Sequence, residues 1–475
     1  IPLGPNVGAF VPHSMLRIQA MGLKDSISRA PNEAELARME SLLEDAMDQG
    51  YLGRSTDGLP FHYLANTPNT DKRIPTQFAS FSEMKRLLGV VRRRGRVWQT
   101  TPIIENKPKA LFYFLLTSGR LFGRTLKTSA LAAMRFKLLP HASQLFLRFA
   151  ALLNSRLFKG NIHFQALGTN FRVWSDGIVS PLFEELDSTC RLIAREYEDR
   201  EGRMALLNDP AWVEEFRSDW HRGRRGRDLA RLKAKLGLPD DLVVRDLELM
   251  IFDGAPVPEW EGESLQQVFE RVQRFQAGFA DSARSEAEKA AFEKFSRSMS
   301  DDADFMLQMM RLYDKDFRYW VDVANVNKEG VLDLLLHPNT MPGFNDSGAH
   351  ITNMAFFDTN LSSLQLAQRK SLDTVARLVK RLTREPAEFF GLDVGSLDIG
   401  AHADITIIDP QALASWDDNA NRKLIHRDLF DHNQLVSRSD GVVSHVLIRG
   451  ELAWQGSEFT EALGNRTLGR ALRAA

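Results

Sequence analysis

The chain has 475 residues, so it exceeds one ordinary domain and has ample length for a large core. Its 61 Lys and Arg balance 62 Asp and Glu for a net charge of −1, which excludes a global field drawing it onto nucleic acid or an acidic membrane and leaves only local basic runs. Its one cysteine, Cys190, excludes an internal disulfide and a cysteine-cluster metal site, and no apolar run approaches a membrane span of ~18 residues.

Asn6 to Pro12 is a short apolar run of strand length, and His13 to Arg17 follows as a loop or helix entry. This reads as a barrel strand delivering His13 and Arg17 to its carboxyl end. Asn32 to Asp48 places Leu36, Met39, Leu43 and Met47 at helical spacing, with an acidic opposite face. Tyr51 to Ala79 is polar and interrupted by Gly and Pro; it reads as a long loop lining a site, with His62 as a candidate. Phe81 to Arg94 is a second amphipathic helix, whose terminal arginines suit a helix carboxyl end.

Gly95 to Pro102 reads as a strand, Lys109 to Ser118 as a helix and Thr125 to Ser129 as a strand. An apolar, partly basic helical stretch then runs from Ala130 to Phe158. Asn161 to Gly168 alternates in the strand manner and puts His163 and Gln165 on one face, making His163 a candidate metal ligand. The alternation of strand and helix predicts a parallel sheet of βα units.

From Pro181 to about Met310 the chain is charged and helical, and its run Arg222 to Arg227 suits a solvated surface or substrate lid better than a nucleic-acid site. Asp246 to Phe252 and Tyr319 to Asn325 read as two further strands. Gly330 to Leu336 is a short helix that leads into Met341-Pro342-Gly343-Phe344-Asn345-Asp346-Ser347-Gly348-Ala349-His350. There a strand end turns into a loop exposing Asp346 and His350, the position where α/β barrels keep their chemistry. Ser371 to Leu382 is amphipathic, Ala403 to Asp409 alternates, and Val442 to Trp454 reads as a hairpin about Gly450. The division expected is 1–180 for middle barrel strands, 181–318 for a mainly helical excursion with a candidate barrel strand near 246–252, 319–395 for the last strands and helix, and 396–475 for a β-sandwich portion and tail.

Five clusters carry a resemblance: Asn6 to Ala9 with His13, Leu16 and Arg17; Leu52-Gly53 with Ser55-Thr56 and His62; Asp346 to His350; Leu382-Thr383 to Leu392; and Leu397 with Gly400 to Asp404. The chain resembles the D-aminoacylase, or N-acyl-D-amino-acid deacylase, branch of the metal-dependent amidohydrolases. The resemblance implies a TIM-like (β/α)8 barrel, incomplete in this chain, with a helical insertion and a small C-terminal β-sandwich unit. It implies hydrolysis of a C–N amide bond in an N-acyl-(D-)amino acid, using zinc as one or two divalent ions. Asp346 is then base and metal ligand, with His163 a second metal candidate. His350 stabilises the oxyanion or orients Asp346, while His13, His62 and Gln165 face the substrate and Arg17 pairs with its carboxylate.

The family's His-x-His is absent, since no two of the 11 histidines stand two apart. The expectation is therefore a fragment or processed subunit beginning at Ile1, completed by a missing segment or second polypeptide; the alternative is a degenerate member with altered metal chemistry. Competing activities are opening of a cyclic amide and a non-catalytic partner subunit. A homo-oligomer is a candidate assembly. The single cysteine suits a cytoplasmic or a bacterial periplasmic location, the former slightly favoured, and neither nucleic acid nor a transmembrane segment is expected.

Overall fold

The computed structural model describes residues 3–60, 62–103, 107–137, 139, 141–225, 231–232, 244–348, 350–356, 358–417 and 420–475. Phe61, Gly226, Arg227 and Ala349, which fall within stretches singled out above, lie outside the described residues.

Six strands form the central sheet: β1 (Val11–Pro12), β2 (Gly53–Asp57), β3 (Val97–Thr101), β4 (Lys127–Ala133), β5 (Asn161–Ala166) and β9 (Thr340–Pro342). They lie in the order β1-β2-β3-β4-β5-β9, and every adjacent pair is parallel. Helices α1 (His13–Met21), α2 (Glu33–Asp48), α3 (Phe81–Arg93), α4 (Lys107–Phe114), α5 (Gly119–Phe122) and α6 (Ala142–Asn154) carry the crossovers. Local chemistry sets their starts. Asn32 and Glu35 form a reciprocal capping box on α2, and the Ser80 side chain accepts from Glu83 N on α3.

The pleat sorts the side chains. Ile162 and Phe164 of β5 point outward into the cluster with Phe114, Leu147, Ala150 and Leu153, and Trp98 of β3 packs with Leu87, Leu88 and Val91 of α3. Asn161, His163 and Gln165 therefore share the opposite, inner face. The polar stretch read as a loop from Tyr51 begins with strand β2. Its polar composition hid it: Arg54 and Thr56 are buried toward α3, where Arg54 donates to the Met84 sulfur at 3.3 Å.

The two strands expected near 246–252 and 319–325 form, yet they join a separate antiparallel sheet. It comprises β6 (Phe171–Trp174), β8 (Tyr319–Ala324) and β7 (Met250–Phe252), with β8 central. Cross-strand chemistry fixes this choice. Arg172 on β6 makes a two-pronged pair with Asp322 at 2.8 and 2.9 Å and lies 3.5 Å over the Trp320 ring, both on β8. Tyr319 is buried instead in an aromatic core with Trp212, Trp220, Trp260 and Phe292. That core also takes α7 (Pro210–His221) and α8 (Asp302–Tyr313).

After β9 come α9 (Thr359–Gln368), α10 (Leu372–Leu382) and α11 (Arg384–Phe390). The C-terminal unit holds an antiparallel sheet in the order β10 (Ile405–Ile408), β13 (Val443–Ile448), β14 (Glu451–Gln455), β15 (Glu458–Phe459), and a hairpin of β11 (Arg422–Arg427) and β12 (His432–Ser437). The hairpin predicted about Gly450 is present: Ile448 faces Glu451, and the two turn residues Arg449 and Gly450 have φ of 53° and 81°.

Candidate active site at the carboxyl ends of the parallel strands

Asp57 ends β2, Thr101 ends β3, and the loop after β9 carries Asp346, so one rim of the sheet collects their side chains. Asp57 is fixed tightly. Its Oδ1 accepts from Thr101 Oγ1 at 2.6 Å and Leu59 N at 2.9 Å, while Gln77 donates to the backbone oxygens of Asp57 and Leu59 at 3.0 and 2.6 Å. Its Oδ2 pairs with Nδ1 of His62. The β9 loop starts at Gly343, whose φ of 120° disfavours an L side chain and whose N donates to Ala166 O at 3.2 Å. Ser347 Oγ then accepts from Phe356 N at 2.6 Å, which folds the loop back and leaves Asp346 half-buried at the rim.

Five ionisable groups at this rim, Asp57, His62, Glu184, Asp346 and His350, act on one another through their charges. Burial opposes charging His62, yet the Asp57 carboxylate outweighs it and raises the imidazole above its ordinary value, with Glu184 and Asp346 adding to the effect. Burial lowers His350; the Asp346 carboxylate works against this and His62 adds to it, so His350 is held neutral at pH 7. Burial pushes Glu184 up to about 7, with His62 opposing. Glu184 sits in a 3-10 turn spanning Pro181–Glu185, between β6 and the helical region. A carboxyl with a raised native value binds its proton more tightly when folded, so the parent protein loses stability as pH rises from about 4.5 to about 7. Glu184→Gln is accordingly expected to match the parent at pH 4 and to exceed it by about 1–3 kcal/mol at pH 8.5, read from urea unfolding at both values.

The other predicted residues fall elsewhere. His13 and Arg17 lie wholly buried beneath the rim on α1, where Nε2 of His13 contacts Glu83 at 2.9 Å and Nη1 of Arg17 donates to it at 2.5 Å. Arg17 also donates to Ser26 O and Arg29 O. Its guanidinium is committed to the protein and has no face for a substrate carboxylate. Gln165 is on the inner face of β5 and donates to Ser129 Oγ at 2.8 Å. His163, two residues earlier, contacts Asn161 Oδ1 at 2.9 Å and meets the edge of Phe389 on α11, so its neighbours are not the rim loops. The structure thus groups Asp346, His350 and His62, and separates His13, Arg17 and His163 from them.

Sequence reading passed over Asp57, Glu184, Arg73 and Lys109. The last two line a cavity of ≈ 200 Å³ that shares Asp57 and Thr101 with the rim and has Tyr113 and Trp98 on its apolar wall. Those walls and cations suit a ligand that is apolar in one part and anionic in another.

Among the described residues, the trio with ligand atoms in reach of one ion is His221, Asp301 and Asp302, in the helical region. Guanidinium groups already neutralise it: Arg217 and Arg225 meet Asp301 at 3.1 and 3.0 Å, and Arg224 and Arg225 meet Asp302 at 2.8 Å each. It is a salt-bridge network tying α7 to α8, and it accounts for part of the arginine run read as solvated. At the rim the donor types suit zinc in part, with a carboxylate (Asp346) and a neutral imidazole (His350), while His62 is turned to Asp57 and raised toward its cationic form. The first two supply part of a ligand set.

No family model matches the chain. The uncharacterized protein Rv2913c of Mycobacterium tuberculosis is 30% identical over 489 residues, spanning 100% of this chain and 73% of the relative. A putative dihydroorotase of Rhodopirellula baltica is 30% identical over 142 residues, 28% of this chain and 29% of the relative. Among solved structures, an N-acyl-D-glutamate deacylase of Bordetella bronchiseptica complexed with zinc and a phosphonate inhibitor superposes with TM-score 0.52 at 19% identity, over 99% of this chain and 72% of that one. A D-aminoacylase described for its binuclear metal center gives TM-score 0.50 at 17% identity, over 100% and 73%. The chain therefore belongs to the family of the mycobacterial protein Rv2913c and carries the α/β barrel fold of the D-aminoacylases, with its antiparallel C-terminal sheets.

Proposed function

We propose that this chain hydrolyses a C–N amide bond, with an N-acyl-(D-)amino acid as substrate and a carboxylate and an amino acid as products. The observation that carries the reading is the grouping of Asp346, neutral His350 and the His62–Asp57 pair at the carboxyl ends of the parallel strands. Asp346 takes the proton of the attacking water as its oxygen bonds to the amide carbon, and returns that proton to the nitrogen as the C–N bond breaks. His62, held toward its cationic form by Asp57, donates to the oxygen that gains negative charge. A zinc ion held in part by Asp346 and His350 would supply carbonyl polarisation and a water of lowered pKa. Arg73 and Lys109 in the adjoining cavity attract the substrate carboxylate, the role that the sequence assigned to Arg17.

Assay of the purified chain against N-acyl-D- and N-acyl-L-amino acids tests this, with metal content measured on the same sample. Release of free amino acid, abolished by a chelator and restored by zinc, is the expected result; no release from any acyl amino acid at saturating zinc overturns it. The second reading is opening of a cyclic amide, favoured by the partial match to a putative dihydroorotase. Dihydroorotate and hydantoins in the same panel distinguish the two.

A further inference from the structure

The stretch from Asn106 to Ser175 holds eleven lysines and arginines and neither an aspartate nor a glutamate, in a chain whose net charge is −1. Apart from Arg172, which pairs with Asp322, and the strands β4, β5 and β6, its helices α4, α5 and α6 adjoin on the outside of the sheet. Helices α4 and α6 adjoin through Phe114 and Phe149, whose rings lie 6.1 Å apart. Helix α5 is bound to the segment after α6 by Gly119 N donating to Lys159 O and Arg120 N donating to Phe158 O, both at 3.1 Å. Helix α6 buries Ser143, Leu147, Ala150 and Leu153, and so presents Leu145, Arg148 and Leu152 outward.

This face is apolar as well as basic. Leu145 is 64% exposed, Leu152 50%, Leu157 65%, Leu121 54% and Phe112 51%. Between them stand exposed Arg120, Arg148, Arg156 and Lys159, and among the described residues none of these four makes an ion pair. Nothing on a water-facing surface requires exposed leucines interleaved with uncompensated cations. A two-fold contact with a second copy would set cation against cation across its axis. A nucleic acid would use the cations but leave the leucines idle. An anionic bilayer uses both, its headgroups meeting the guanidinium and ammonium groups while leucine and phenylalanine enter the interfacial zone.

We propose that the face built from α4, α5 and α6 docks the protein onto an anionic phospholipid membrane. The proposal is independent of the amide-hydrolysis reading, since that reading uses neither the exposed leucines of this face nor Arg120, Arg148, Arg156 and Lys159.

Sedimentation of the full chain with vesicles is the test. Binding at 0.1 M NaCl to vesicles of equal phosphatidylglycerol and phosphatidylcholine is expected to exceed binding to pure phosphatidylcholine at least tenfold, and to fall at least tenfold at 0.5 M NaCl. Two surface double variants separate the contributions: Arg148→Glu with Arg156→Glu should lose most of the binding, and Leu145→Gln with Leu152→Gln should weaken it at least fivefold, both with unchanged circular dichroism. Equal partition onto the two vesicle types, or full binding by the charge-reversed protein, overturns the proposal. So does a dimer in sedimentation velocity that the leucine variant dissociates while the parent ignores vesicles, because the face is then covered by a second copy.

Discussion

Replacing Glu83 by glutamine is expected to destabilise the protein by about 3–5 kcal/mol, the range for breaking one partner out of a buried ionic network. Glu83 is fully buried on α3 and meets His13 and Arg17 at 2.9 and 2.5 Å. Its charge also faces Arg54, whose guanidinium is completely buried with Nε and Nη1 lacking any hydrogen-bond partner. Burial lowers Arg54 to about 9 even with Glu83 present, so loss of that carboxylate leaves two buried guanidinium groups without a counter-charge. His13 does not share the load: burial and Arg54 hold it down to about 4, so at neutral pH it donates to Glu83 as an uncharged ring. The pH dependence follows in sign. Burial works against the Glu83 carboxylate, but His13 and Arg17 outweigh it and hold its pKa below 4.5. Its contribution is complete above that value and is lost as the pH falls through the lowered native one. His13, lowered from 6.5, adds a loss of stability between about 6.5 and about 4 on acidification. Urea unfolding of parent and Glu83→Gln is the measurement. A large gap at pH 7 should narrow toward pH 3, and a gap below 1 kcal/mol at pH 7 would contradict the role given to Glu83.

That network also explains where sequence reading stopped. The rhythm of the barrel was legible because it depends on neighbours in sequence: the helices expected at Asn32 to Asp48, Phe81 to Arg94 and Ser371 to Leu382 appear as Glu33–Asp48, Phe81–Arg93 and Leu372–Leu382. The loop carrying Asp346 and His350 was legible for the same reason, as a run of small residues after a strand. His13 and Arg17 were misplaced because their partner stands 70 and 66 residues away, and a guanidinium already paired looks identical in sequence to one awaiting a substrate. Tyr319 to Asn325 carried a correct strand pattern, but nothing local says which sheet a strand joins. Here Arg172, 150 residues from Asp322, decides it. Glu184 gave no signal at all, since its significance comes from burial beside His62, more than a hundred residues away.

Asp346→Asn is expected to lower amide hydrolysis by about 10³-fold or more while leaving the fold intact, within the range by which a positioned base accelerates proton transfer. The substitution keeps the shape and removes the charge and the basic lone pair. The loop does not depend on that carboxylate: it is shaped by Gly343 bonding Ala166, Ser347 bonding Phe356 and Met354 bonding His350, so unfolding midpoints should agree within about 0.5 kcal/mol. A second readout ties the loss to this site rather than to general damage. The Asp346 charge helps to raise His62 and opposes the lowering of His350, so both imidazoles should titrate at lower pH in the variant, visible in their ring proton resonances. Hydrolysis within tenfold of the parent, with both histidines shifted, would show that Asp346 faces them without serving as the base, and the proton transfer would have to be reassigned to Glu184, a carboxyl at the same rim held up to about 7 by burial.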